Sequence, residues 1–373
     1  MRTLMIVVAV VLIAVMGIGL YYVRLMADMG SFSSIEPHFD GTCETMDGFA
    51  GGTEDLLIDR ETGWVFVSAF DRRTALANPE ADVRGAIQAF RLGAPEEGAI
   101  DITPQTPADF RPHGISFYSG PEGKRLFVIS HRADGTQAIE LFDVIYDLDG
   151  TPSLGFVETI TDPLIISPND LVAVGPRAFY VGNDSTTADH ESLSYMLELY
   201  LRQNRTTLVY YDGAEATVAA RGLTYANGVE VSPDGRTLYL AETTDGTLRV
   251  YDRDLATGGL TQRAGPNGLL KLGPGLDNID IDGQGRVWIT AHPQPFKLQG
   301  HGEEAANLSP SQVNMITPDM DGGGSVAEVY LGDGHLASGS SVTAYHDETM
   351  VIGVIFEPHV VICNPTHEHI IGN

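Results

Sequence analysis

Basic side chains are scarce in this chain: 22 Lys and Arg stand against 50 Asp and Glu in 373 residues, a formal net charge of −28. Phosphate backbones demand a stripe of Lys and Arg, so nucleic acid is excluded as a partner. The acidity suits solubility, cations and neutral or cationic ligands. Cysteine is scarcer still. Cys43 and Cys363 alone exclude a disulfide-dense scaffold and any Cys-rich zinc or iron–sulfur site. The G-x-S-x-G, H-E-x-x-H and P-loop patterns are absent, which removes serine α/β-hydrolase, zincin and nucleotide-hydrolase chemistry. A hydrophobic content of 43% excludes disorder for most of the chain.

There is one long apolar run. Leu4 to Val23 is 20 residues without a charge, matching the roughly 20 needed to cross a bilayer core of about 30 Å. It is long for the h-region of a cleaved signal peptide, and no A-x-A site follows it, which favours a retained signal-anchor. Residues 1–30 are therefore read as anchor and 31–373 as one folded domain. The body is expected on the extracytoplasmic side, where a disulfide persists.

Beyond the anchor, helical periodicity is rare. Short runs rich in Val, Ile, Tyr, Phe and Leu alternate with Gly, Asp and Pro turns, which reads as all-β. A unit recurs six times: a polar residue, a short strand, a turn, a second strand. It appears as Glu54-Asp55-Leu56-Leu57-Ile58 before WVFVSAF and as His113-Gly114-Ile115-Ser116-Phe117 before RLFVISH. Asn169, Asn227, Asn278 and Ser340 lead the other four, and the leading positions lie 59, 56, 58, 51 and 62 residues apart. Six such units predict a six-bladed β-propeller. The exception is His190 to Asn204, where Leu193, Met196, Leu197, Tyr200 and Leu201 recur at helical spacing. This predicts an amphipathic helix inserted in the third blade, as a lid, a membrane-surface element or a packed support. Cys43 precedes the first unit and Cys363 follows the last, so a closed ring would join them, free buried thiols being the alternative.

The first strand of each blade lines the channel, which gathers the leading residues at one mouth. Carboxylates Glu54 and Asp277 with amides Asn169, Asn227 and Asn278 are the oxygen donors that Ca²⁺ requires. Capping of strands and turns is what such residues usually do singly, but a register of them favours the metal. Asp55 and Asp170 could hold a second, deeper ion with the Ile115 carbonyl. Second strands return to the same mouth and end at His131, Asp184, Glu242 and His292, with Phe70 in that position in the first unit. His113 and His131 thus place two imidazoles at one rim, a pairing suited to general-base chemistry.

The segments GGTEDLLI, RPHGIS, VISH, SPNDLVAVG, YANGVEVSPDG, LDNIDID, TAHP and GSSV, in this order over nearly the whole chain, resemble the paraoxonase (arylesterase/lactonase) family. The resemblance implies two calcium ions: a catalytic one on Glu54, Asn169, Asn227, Asp277 and Asn278, and a structural one on Asp55, Asp170 and the Ile115 carbonyl. It implies a His113–His131 dyad that activates water, with His292 in the pocket. Asp184 is followed by Ser185 where mammalian members have His, and Tyr225 stands where they have Phe, so substrate preference does not carry over. The expected activity is calcium-dependent hydrolysis of lactones and aryl esters. The alternatives are a non-catalytic, calcium-stabilised binding propeller and a sugar-acid lactonase.

Overall fold

The computed structural model describes residues 1–78, 81–319 and 324–366. Helix α1 (Arg2–Asp28) and strand β1 (Gly41–Asp47) come first. The first blade holds β2 (Gly52–Asp59), β3 (Trp64–Phe70), helix α2 (Arg72–Ala77), β4 (Ala86–Arg91) and β5 (Ile100–Asp101). The second holds β6 (Pro112–Gly120), β7 (Gly123–His131), β8 (Gln137–Tyr146) and β9 (Pro152–Ile160). In the third, β10 (Pro168–Ala173) and β11 (Phe179–Asn183) are followed by helix α3 (Leu193–Tyr200), β12 (Thr206–Tyr211) and β13 (Ala216–Leu223). The fourth comprises β14 (Ala226–Val231), β15 (Thr237–Glu242), β16 (Thr247–Arg253), β17 (Leu260–Gln262) and β18 (Leu269–Lys271). The fifth has β19 (Leu276–Ile281), β20 (Val287–Ala291), helix α4 (Pro295–Glu303), β21 (Ser311–Pro318) and β22 (Gly324–Gly332). Strands β23 (Ser340–His346), β24 (Thr349–Val354) and β25 (His359–Pro365) begin the sixth.

Each blade is an antiparallel sheet, built from strands sequential in the chain in the first five. Its first strand touches the first strands of both neighbours, β2 with β6 and so on to β23 with β2, which closes a six-bladed propeller. The core is shared out between blades. Phe66 and Phe142, Phe127 and Phe179, and Trp288 are fully buried in three separate apolar layers of this kind, so the axis itself is free for polar side chains.

The sixth sheet is completed from the other end of the chain. Its order is β1-β25-β24-β23; Cys43 stands opposite Cys363 in the ladder, and the two form a disulfide across 320 residues. Hairpin turns at Ser232–Arg236 and Asp282–Arg286 join β14 to β15 and β19 to β20.

Helix α3 lies in the third blade as its periodicity predicts, capped by the Ser192 hydroxyl, which accepts from the Tyr195 N–H. Its apolar stripe is not packed on the propeller: Leu193, Met196, Leu197 and Leu201 are exposed. The propeller instead holds its polar side, where buried Glu198 accepts from Ser185 Oγ at 2.8 Å and the Thr186 N–H at 3.0 Å. Helix α1 is long and apolar enough to cross a membrane. Its end meets the same face, with Asp28 3.0 Å from Arg202 and the Tyr21 hydroxyl 2.7 Å from the Tyr200 carbonyl. Helix α4 escaped the sequence reading because PFKLQGHGE, with two glycines, has no apolar periodicity. Of the histidines near the C-terminus, His359 opens β25, and His367 and His369 lie outside the described residues.

Closing so long a loop restricts the unfolded chain by about 5 kcal/mol in the chain-entropy treatment. The double substitution Cys43→Ser, Cys363→Ser is therefore expected to lower the urea midpoint by an amount equivalent to about 2–5 kcal/mol while leaving the far-ultraviolet spectrum unchanged. An unaltered midpoint would show that β1 pairing alone closes the ring.

Candidate active site

In every blade the ladder between first and second strand slips at the leading polar residue. The shifts fall at Gly52/Asp55, Pro112/Ile115, Pro168/Leu171, Ala226/Val229, Leu276/Ile279 and Ser340/Val342. A bulge re-aims side chains that strict alternation would send to opposite faces. Consecutive residues therefore both serve the channel: Glu54, Asn169 and Asp277 line a cavity of about 550 Å³ at one mouth, while Asp55 and Asp170 line a cavity at the other. Glycine makes the second tier possible. A Cβ at Gly114 would lie 2.9 Å from Asp170 Cα and 3.0 Å from its Oδ1, and one at Gly228 2.4 Å from the Asp277 carbonyl oxygen.

The upper donors come from different blades and fix one another. Asn278 Nδ2 donates to Glu54 Oε1 at 3.3 Å, Asn227 Nδ2 to Asp277 Oδ1 at 2.9 Å, and Asn169 Nδ2 to Asp184 Oδ2 at 3.2 Å. Each amide nitrogen is thus committed, and the other ends are left over. Asn169 Oδ1, Asn227 Oδ1, Asn278 Oδ1 and Glu54 Oε2 are all buried without a hydrogen-bond partner among the described residues. Four orphaned oxygens in one channel are a costly set unless a cation meets them. No cluster of three or more His, Cys, Asp or Glu side chains poised for a metal occurs among the described residues. That is consistent with a donor set that is mostly amide, which suits a hard cation and not zinc. Ser340, the sixth leading residue, is buried but does not line the cavity.

Electrostatics separate the carboxylates. Burial works against ionisation of Glu54, but His113 and Arg72 outweigh it and hold its carboxyl down at about 2. Asp55 and Asp170 are pushed well up, first by burial and in Asp55 next by the Asp170 charge, against the pull of two backbone N–H groups each. One of these is the Ile115 N–H, which donates to Asp55 Oδ2 at 2.6 Å. Asp277 is also raised by burial, with His292 Nε2 2.7 Å from its Oδ2 pulling the other way.

Both imidazoles stand at this rim. The His113 and His131 rings meet edge to face, 4.8 Å between centroids. His113 Nε2 lies 3.3 Å from Glu54 Oε1, and its Nδ1 lies 3.4 Å from Arg72 Nη2. A guanidinium can only donate, so Nδ1 carries the lone pair and Nε2 the hydrogen. His131 Nδ1 donates to Gln137 Oε1. Phe70, Asp184, Tyr225 and His292 line the same cavity. Tyr225 does so with a φ of +54°, a strained conformation for an aromatic residue. Glu242 does not take part: it binds the Thr224 N–H and the Arg249 guanidinium within its own blade.

Sequence reasoning missed Arg72, Arg111, Gln137 and His190, all of which line the cavity. His190 Nε2 is 2.9 Å from Ser167 Oγ, which donates to Asp184 Oδ1 at 2.5 Å. Arg72 was signalled only by position, two residues after Phe70 at the end of a second strand. A further cavity of about 530 Å³ adjoins this one through Tyr225, His292, Leu298 and Phe356, and reaches Leu25 and Met29 at the end of α1.

The sequence model of the arylesterase family matches residues 81–364. The chain belongs to the arylesterase family. Serum paraoxonase/arylesterase 2 of Bos taurus, one relative in this family, is 31% identical over 319 residues, covering 84% of this chain and 86% of that protein. Serum paraoxonase/arylesterase 1 of Homo sapiens is 28% identical over 333 residues, covering 88% and 90%. Among solved structures, a luciferin-regenerating enzyme superposes with a TM-score of 0.54 at 13% identity over 89% of this chain and 96% of that one. The calcium-binding protein regucalcin from Agrobacterium tumefaciens gives 0.50 at 14% identity, over 88% and 96%. Both share the fold with this arylesterase family member.

Burial, followed by the neighbouring His113, holds His131 down at about 3 against an ordinary 6.5. Between those values the unfolded chain binds the proton and the folded one does not. The stability tied to this group is complete above about 6.5 and is lost as pH falls toward 3. NMR of the His131 ring should show no protonation at pH 6, and His131→Gln should lessen the acid-side fall of the urea midpoint. A ring titrating near 6.5 would contradict the burial argument.

Proposed function

We propose that this protein is a calcium-dependent hydrolase of lactones and aryl esters, held by its N-terminal helix at the extracytoplasmic face of a membrane. The observation that carries the reading is the set of four buried, unpartnered oxygens beside a pair of imidazoles. In this proposal Glu54, Asn169, Asn227, Asp277 and Asn278 hold the catalytic ion, and Asp55, Asp170 and the Ile115 carbonyl a structural one. When bound, the upper ion supplies a Lewis acid for the scissile carbonyl, an effect worth several kcal/mol.

The protein's own groups perform the rest. Glu54 accepts from His113 Nε2–H, which makes Nδ1 the basic nitrogen of the ring, open to water once the Arg72 guanidinium 3.4 Å away turns aside. His113 takes a proton there from the attacking water, and the same proton passes to the alkoxide released when the ester C–O bond breaks. A positioned base contributes about 10²–10⁴-fold. His131 packs edge-on against His113 and restrains its rotation; kept neutral by burial, it adds no charge to oppose the protonated partner. The apolar wall of Phe70, Leu76 and Phe356 excludes water from the bound acyl group. Extracytoplasmic placement is supported by the disulfide and the apolar helix.

The test is turnover of aliphatic lactones and phenyl acetate by the full-length protein, before and after chelation and after calcium return. Activity should fall at least 100-fold on chelation and recover, since the metal's several kcal/mol convert to that range. Asn169→Ala should lose activity more completely than His131→Gln. Turnover indifferent to calcium overturns the mechanism, and turnover of neither substrate class overturns the assignment.

A further inference from the structure

The floor of the cavity is acidic, but one wall is not. Phe70 is flanked by two guanidiniums, with Arg72 Cζ 5.8 Å and Arg111 Cζ 5.6 Å from its ring centroid. All three residues line the cavity. Arg111 is tethered through Nε, which donates to the Val83 carbonyl at 3.2 Å. Arg72 is held only by long contacts, 3.4 Å to His113 and 3.7 Å to Glu54, and its Nη1 is buried with no hydrogen-bond partner among the described residues. Elsewhere this protein seats guanidiniums on buried carboxylates at 2.6 Å, as in Arg132–Glu140, Arg249–Glu242 and Arg286–Asp282. Arg72 is therefore not an ion pair already satisfied by Glu54. A guanidinium offers a flat fork of donors that matches a carboxylate, and a buried donor left unpaired is costly. With a net charge of −28, long-range attraction does not bring anions to this protein, so recognition of one must be local, as this wall provides.

We propose that Arg72 and Arg111 form an anion subsite that selects lactones or esters carrying a carboxylate beside the scissile group. The proposal rests on the hydrolase reading of the cavity and names its substrate class. The reaction remains a simple hydrolysis. Water adds to the carbonyl carbon, the ester C–O bond breaks, its proton ends on the released alkoxide, and the second carboxylate stays on the arginines unchanged.

The test compares γ-carboxy-γ-butyrolactone with its γ-carboxamide, equal in size and different in charge, on the full-length calcium-loaded protein. The carboxylate should be preferred by about 10- to 100-fold in kcat/KM, and Arg72→Gln or Arg111→Gln should each reduce that ratio about 10-fold. The far-ultraviolet spectrum and the urea midpoint report that each variant has folded. Calorimetry with cyclopentanecarboxylate, which cannot be hydrolysed, reads the subsite apart from the chemistry. Binding by the wild type should weaken at least 10-fold in either variant. A ratio near one in the wild type, or ratios and binding unaltered in both variants, overturns the subsite even if the lactones are turned over. Binding lost in the variants with neither lactone hydrolysed supports the subsite and sinks only the hydrolase reading.

Discussion

A carboxylate withdrawn from water costs several kcal/mol unless a cation or several donors meet it, and the channel of this propeller withdraws four: Glu54, Asp55, Asp170 and Asp277. The protein meets them with dipoles. Asp55 and Asp170 receive two backbone N–H groups each, Asp277 an imidazole and an amide, and Glu54 an imidazole and an amide with Arg72 at a distance. These contacts orient the oxygens but leave most of the charge unbalanced. The bulges, the glycines and the choice of Asn over Leu along the axis follow from placing that charge in one column.

Ring closure is the geometric side of the same constraint. Glu54 comes from the first blade and Asn278 from the fifth, and the Ser341 hydroxyl of the sixth blade donates to the Glu54 carbonyl. Residues 224 and 287 positions apart meet only because the last sheet borrows β1 from the start of the chain. The disulfide therefore acts on the site as well as on the fold: a ring that opened would separate the first blade from the sixth before disturbing any local hairpin.

The propeller was legible because the first strands repeat a chemistry as well as a pattern, a polar leader followed by an apolar strand at near-constant spacing. The placement of Glu54, His113, Asn169 and Asn227 at one mouth was legible for the same reason. The slipped register was not legible, since a bulge leaves no mark in composition; strict alternation would have sent Asp55 away from Glu54. Helices α2 and α4 were missed because RRTALA and PFKLQGHGE have no apolar stripe, their positions being set by what they cover. Arg72 was hidden by its place in a connection, where only the fold decides which way a side chain faces. The apolar stripe of α3 was read correctly as a stripe, but its direction depended on Glu198, whose burial the periodicity could not announce.

The distribution of the few basic residues sharpens the reading of the channel. Four buried carboxylates away from the axis have a Lys or Arg in contact: Glu140 has Arg132, Glu242 has Arg249, Asp282 has Arg286 and Asp59 has Lys124, all at 2.6–2.7 Å. With 22 basic residues for 50 acidic ones, the chain still matches these internal acids one by one. Scarcity of cations is therefore not the reason that the axis lacks them. The axial carboxylates line the two ends of the channel, where an added Lys or Arg would have to fill the column that Gly114 and Gly228 keep open. A small ion of higher charge density fits that column where a four-carbon stem cannot. The net charge of −28, a hindrance to an anionic substrate at long range, favours the approach of any cation to the channel.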